Sequence, residues 1–410
     1  MLLEILIKSA ILIGGIMTAA AYFVLLERRM AAWVQDRIGP SRVGIPLTNI
    51  RLWGLGQPLA DGLKMIMKEE YTPAHVDRRL FVLAPIAILA SAIAVYAVIP
   101  FGSLIPPQIG SLKVNNEPIQ LTVAPGVDVG MIYVFAISSV AIYGVILGGW
   151  ASNSKYSFLG GLRSSAQLIA YELPMGLGIL GVVLAAGSLN LETIMAAQAT
   201  DGWYALVQPL GFVVFVVAAF AEAARLPFDL PECEQELVGG YHTEYAGMKL
   251  LLFLVAEFLH MITASFLIVI LFLGGWHLPF ITGQPDATQI GWPTAIARIA
   301  VLHGKIFLVI VFFMWVRWSW PRFRFDQLMN LAWKVMLPLG MVNFVAIAIL
   351  EEARQVYSVE ENQMLWTLSI IGASWAVFVV AWLVTAYANP LVTDNRPRRN
   401  LSPAQIDSQI

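Results

Sequence analysis

Long apolar runs separated by short polar breaks dominate this chain. They fall at roughly 3–26, 79–100, 127–150, 165–187, 204–223, 250–274, 300–319, 333–351 and 364–388. A helix needs about 20 apolar residues to cross the ~30 Å hydrocarbon core of a bilayer, so the pattern predicts nine spans. No small-residue cleavage site follows the first run, which is therefore expected to be a retained helix rather than a signal peptide. The polar stretch from Glu27 to Arg79 is too long for a mere connector. Within it, Leu55, Leu59, Leu63, Ile66 and Met67 fall on one side of a helical wheel, and Gln57, Asp61, Lys64 and Lys68 fall elsewhere. That spacing predicts an amphipathic helix along the membrane face or tucked beneath the bundle. The expected fold is all-α: a polytopic transmembrane helix bundle of about nine spans with a surface helix. No internal repeat and no inverted pair of interrupted spans is visible, which favours a single bundle.

Composition agrees. Of 410 residues, 58% are hydrophobic and 13% charged, and mean hydropathy is +0.73. A soluble domain carries roughly a quarter of its residues as charges. The loops on one side hold 20 of the 25 basic residues, and the other side holds Lys8, Lys113, Arg298, Lys305 and Arg354. Basic loops stay on the cytoplasmic side, which puts the N-terminus outside and the C-terminus inside, as an odd number of spans requires. The lone Cys233 excludes an internal disulfide, and neither CxxC nor HExxH occurs. The chain thus has no obvious means of holding an iron–sulfur cluster, a haem pair or zinc.

The candidate chemistry lies in the acids. The segment AEAARLPFDLPECEQELVGGYHTEYAG carries Glu222, Asp229, Glu232, Glu234, Glu236 and Glu244. Glu257 follows inside the sixth run with His260 a turn further, and Glu172 sits in the fourth run just before Pro174. Carboxylates near hydrocarbon depth are costly and mark charge movement or binding. Several of them in one poorly hydrated site cannot all ionise, so they share protons, as a relay requires. A solvated loop is the plainer account of the acidic segment, but it leaves Glu172, Glu222 and Glu257 unexplained. Arg225 stands about a turn from Glu222, a possible ion pair. Asp61 and Lys64 are three apart on the surface helix, whereas a simple lipid anchor would favour lysines without an aspartate. Arg28 and Arg29 fit ordinary topology signals. Arg37 lies beyond the interface, where it could pair with the acidic loop or face a polar headgroup. Gly176, Gly178 and Gly181 spell GxGxxG inside an apolar run, not a strand–turn–helix, and read as helix packing, like Gly144 and Gly148.

The segments GLGQPLADGLKMIMKE (Gly54 to Glu69) and PFDLPECEQELVGGYHTEYAG (Pro227 to Gly247), with the girdle ERRMAAWVQDRIGP, resemble signature segments of a known family. It is the NuoH/ND1 family of membrane subunits (NuoH in bacteria, ND1 in mitochondria) of proton-pumping NADH:quinone oxidoreductase, respiratory complex I. The similarity runs over about residues 1–352. Residues 353–410, with the ninth span and a basic tail, exceed the eight-span core usual for the family, and Cys233 stands where Gly, Ser or Ala is commoner.

The resemblance implies a subunit of a proton-translocating enzyme in a bacterial inner membrane. Quinone is its substrate, and FMN and iron–sulfur clusters are held by partner subunits. Its partners would be redox subunits on the cytoplasmic side and antiporter-like and small subunits in the bilayer. It implies that Arg28, Arg37, Asp61 and Lys64 line the quinone passage, and that Arg225, Glu232, Glu234, Glu236 and Glu244 belong to the acidic loop beneath it. Glu172, Glu222 and Glu257 would lie on a watery path toward the antiporter-like subunits. A membrane-bound hydrogenase relative, a stand-alone proton-coupled transporter and a structural anchor are the alternatives. Without the resemblance, the residues reach only a polytopic protein handling protons beside an acidic cytoplasmic loop.

Overall fold

The computed structural model describes residues 2–44, 53–106, 108–109, 112–113, 119–229, 238–279, 281–282, 291–356 and 363–388. Helix α1 (Leu2–Val34) is followed by the surface helix α2 (Gln57–Met67), then α3 (Arg78–Ala94), α4 (Gly130–Ala151) and α5 (Lys155–Ala186). Short helices α6 (Leu191–Asp201) and α7 (Tyr204–Val207) lead into α8 (Pro209–Glu222). Next come α9 (Gly247–Phe272), α10 (Trp292–Ser319), the short α11 (Phe325–Asn330), α12 (Leu337–Val356) and α13 (Gln363–Ala388). A π-helical turn, Leu331–Met336, fuses α11 to α12 within one span. A two-residue hairpin, β1 (Gln108–Ile109) with β2 (Leu112–Lys113), decorates the loop after α3.

Among the described residues, eight helices are long and apolar enough to cross a membrane, and α8 is a shorter apolar helix. The expected fifth span is therefore interrupted. Gln208 and Pro209 split it, because proline has no N–H to continue α7 but suits the first turn of α8. At 1.5 Å per residue, α8 reaches only about 21 Å. In α1 the two early charges neutralise each other, Lys8 Nζ lying 2.8 Å from Glu4 one turn away. Asp77 caps α3 by accepting from the backbone N–H groups of Arg79 and Leu80.

Helix α5 is the centre of the bundle, packed on α4, α8 and α12, while α9 contacts α1, α3 and α10. Of the apolar window of α9, 78% is buried, against 6% for α13 at the periphery. Gly144, Gly148, Gly178 and Gly181 pack closely as expected, but Gly176 does not, since nothing lies within 4 Å of a methyl added there. A methyl at Gly144 would meet Ile88 and come within 3.0 Å of the Ala84 carbonyl on α3, and one at Gly178 would lie 3.2 Å from the Gly211 carbonyl on α8.

Candidate functional site

Helices α4, α5, α8 and α9 leave a hollow of about 60 Å³ between them. Its walls include Ser139, Glu172, Glu222, Tyr241, Glu257 and His260. Three carboxylates from three helices thus share one space, although 85 residues separate Glu172 from Glu257. Each is held differently. Ser139 Oγ donates a short hydrogen bond to Glu172. Tyr241 Oη, from the segment that follows the acidic run, donates to Glu257 at 3.2 Å. Glu222, at the last position of α8, forms no ion pair among the described residues. Pro174 lies within α5 close to Glu172, where it removes one backbone donor from the helix ladder.

Behind the hollow runs a chain of buried charges. Arg317 of α10 pairs closely with Glu27 of α1. The other Glu27 oxygen lies 3.7 Å from Arg225, whose second terminal nitrogen lies 3.9 Å from Glu257. Arg225 also rests over the Phe258 ring at 4.3 Å. Among the described residues two arginines here face two carboxylates. A desolvated charge without a partner would be strongly unfavourable, and these pairings offset that cost.

The turn carrying Arg225 is pinned by Gln167 of α5. Its side-chain amide donates to the carbonyls of Ala221 and Phe228, both at 2.8 Å. Asp229 is buried and receives Arg322 at 3.0 Å. Irregular backbone inside a bundle needs partners of this kind, because no lipid can supply them.

On the basic side, α2 packs against α1 and α9. None of its residues is buried, and Leu59, Leu63, Ile66 and Met67 are exposed. Arg28 reaches from α1 to Asp61 at 2.6 Å, and Gln57 donates to the other Asp61 oxygen at 2.9 Å.

A family model described as NADH dehydrogenase matches residues 7–348. The chain belongs to the NADH dehydrogenase family. Among its relatives, a Cytophaga hutchinsonii protein named as an H-type subunit of NADH-quinone oxidoreductase is 43% identical, over 83% of this chain and 96% of its own. A Geobacter metallireducens protein of the same name is 46% identical over 82% and 93%. NADH-quinone oxidoreductase subunit 8 of Thermus thermophilus is 45% identical over 84% and 86%. The family match ends before α13, so the last helix lies beyond it.

Within this NADH dehydrogenase family member, the structure gathers Glu172, Glu222 and Glu257 into one site and joins Arg225 to it. It unites Arg28 with Asp61 but leaves Lys64 and Arg37 exposed, with Arg37 donating to nearby Gln35 at 2.7 Å. The possible Glu222–Arg225 pair is replaced: Arg225 turns to Glu27 and Glu257, which together offer it two carboxylates. Glu244 is half-buried on the segment after the acidic run, while Glu232, Glu234 and Glu236 lie outside the described residues. Glu27, Ser139, Gln167, Tyr241 and Arg317 were not singled out from sequence. Glu27 and Arg317 stand 290 positions apart, so no local spacing could pair them. Among the described residues no three His, Cys, Asp or Glu side chains cluster so as to hold a metal ion.

Proposed function

We propose that this chain is the membrane subunit of a proton-translocating NADH:quinone oxidoreductase that passes charge from the quinone chamber into the bilayer. The single observation that carries the reading is the hollow shared by Glu172, Glu222 and Glu257. Quinone reduction consumes two protons, and the charge developing beside the chamber changes the protonation of the acidic run from Glu232 to Glu244. Arg225 precedes that run in sequence and Tyr241 lies within it, and both reach Glu257, so they connect it to the hollow. Glu222 and Glu172 then take up the change and hand it toward the antiporter-like subunits. One elementary charge across 100 mV corresponds to about 2.3 kcal/mol, so a shift in a few coupled acids is large enough to matter.

On this reading Arg28, Arg37, Asp61 and Lys64 line the passage by which quinone enters, between α1, α2 and α9. The amphipathic α2 supports it, since its exposed apolar face suits an interface with lipid tails or a quinone tail. The basic loops face the cytoplasm, the N-terminus lies outside, and the protein resides in a bacterial inner membrane. Redox subunits carrying FMN and iron–sulfur clusters dock on the basic side. Residues 1–352 form the coupling bundle, and 353–410 add a helix and tail to it.

The test is to replace Glu222 or Glu257 with Gln in the intact complex, reconstituted in vesicles, and to follow quinone reduction and proton translocation together. Both should fall. Wild-type rates for both would sink the relay.

A further inference from the structure

A second hollow adjoins the first. It is small, with room for about one water, and Met175, Phe215 and Thr263 are among its walls. Glu222 and His260 line both spaces, and among the described residues they are the only two titratable side chains common to them. His260 projects from α9 one turn beyond Glu257 and is half-buried on the walls of the two hollows. Among the described residues its imidazole forms no hydrogen bond. An apolar side chain would fill such a position at lower cost, because an imidazole loses its water on burial. What an imidazole adds is two nitrogens, one donating and one accepting, on opposite sides of one ring.

We propose that His260 exchanges protons with the glutamates and links the carboxylate-lined hollow to the second one. The proposal rests on the relay described above and extends it. Glu222 faces His260 from α8 and Glu172 from α5, while Glu257 on its own helix is held by Arg225 and Tyr241. A protonated carboxyl group of Glu222 or Glu257 gives its proton, through water, to the free imidazole nitrogen and becomes a carboxylate. The imidazolium releases the proton on its other nitrogen, through water, to whichever of Glu172, Glu222 and Glu257 is then ionised, Glu222 being the one that also lines the second hollow. Exchange of the remaining proton between the nitrogens, by ring rotation or through water, restores the starting tautomer. One proton moves, and no electron or heavy-atom bond changes.

The experiment uses the intact complex in sealed vesicles, with His260→Asn, His260→Leu and, as a reference, Glu257→Gln. Protons translocated per quinone reduced and the pH profile of translocation are measured, with assembly checked by native electrophoresis. Both histidine variants should at least halve the proton ratio, leave the KM for quinone unchanged and alter the pH profile. His260→Asn keeps polarity and size, so it carries the test should the leucine variant fail to assemble. A normal ratio in His260→Asn overturns the proposal, as does a lowered ratio with an unaltered pH profile, which would mark a structural role for the side chain. If Glu257→Gln is impaired while His260→Asn is normal, the relay stands and the role of His260 falls. If Glu257→Gln is also normal, the relay itself falls.

Discussion

Glu27 and Arg225 come from distant parts of the chain, and their side chains approach to 3.7 Å inside the bundle. Arg317 closes on the same carboxylate, so Glu27 is the one anion between two cations. Glu27→Gln keeps the shape and removes the charge, leaving Arg317 without this ion pair and taking one carboxylate from Arg225. Breaking a buried pair from one side costs about 3–5 kcal/mol. A clear drop in the thermal midpoint of the solubilised complex is expected, together with weakened coupling. An unchanged midpoint would mean that the network is hydrated.

Tyr241→Phe deletes one hydroxyl and the hydrogen bond to Glu257. The loss in stability should be small, about 1 kcal/mol. On the proposed relay, proton translocation should nevertheless fall more than quinone binding, because the bond touches Glu257 and not the proposed passage. Equal losses in KM and in translocation would place Tyr241 elsewhere in the mechanism.

The Arg28–Asp61 pair is half-exposed, so it should contribute at most about 1 kcal/mol to folding. Asp61→Asn is expected to leave the thermal midpoint nearly unchanged and to raise the KM for quinone. The charge-exchanged double variant, Arg28→Asp with Asp61→Arg, should recover part of the lost affinity. A midpoint that falls several degrees with an unaltered KM would make the pair structural.

Gly144→Leu drives a side chain into Ile88 and the Ala84 carbonyl, which should force α3 and α4 apart. Overpacking of this kind costs about 1–3 kcal/mol or more. Gly176→Ala is the matched control, since nothing lies within 4 Å of its added methyl. Expression and midpoint should drop for the first and hold for the second.

Lys305 donates to three carbonyls just past the end of α9: Leu273 at 2.6 Å, Gly275 at 3.1 Å and His277 at 2.7 Å. Lys305→Met leaves all three without that donor, where a charged hydrogen bond is worth about 1.5–3 kcal/mol. The predicted result is a lower midpoint without a change in the proton ratio, because the site lies at the opposite end of α9 from Glu257. A changed ratio at normal stability would draw Lys305 into the relay.

Much of the bundle was legible because hydropathy over 20 residues reads lipid contact directly. The long helices, the amphipathic α2 and the packing role of Gly144 and Gly178 follow from that. Gln208 escaped notice, since one polar residue barely dents the average over 204–223, although Pro209 beside it marks a helix start. Glu172, Glu222 and Glu257 were recognisable as a set from the cost of burying acids. Which cations answer them was not, because Arg317 reads as an ordinary interface residue and Glu27 as part of a topological girdle. Ion pairs between distant helices leave no trace in local spacing. The π turn at 331–336 likewise has no proline or glycine to announce it.

The grip of Gln167 on both ends of the turn from Ala221 to Phe228 has a mechanical consequence. Fastened at two points, the turn has no slack with which to absorb a displacement of the chain that follows it. Any tug on that chain reaches Arg225 as a shift of the whole hairpin, and the shift alters how closely its guanidinium neutralises Glu257. On the proposed relay, such a shift would turn motion outside the bilayer into a change of local field within it.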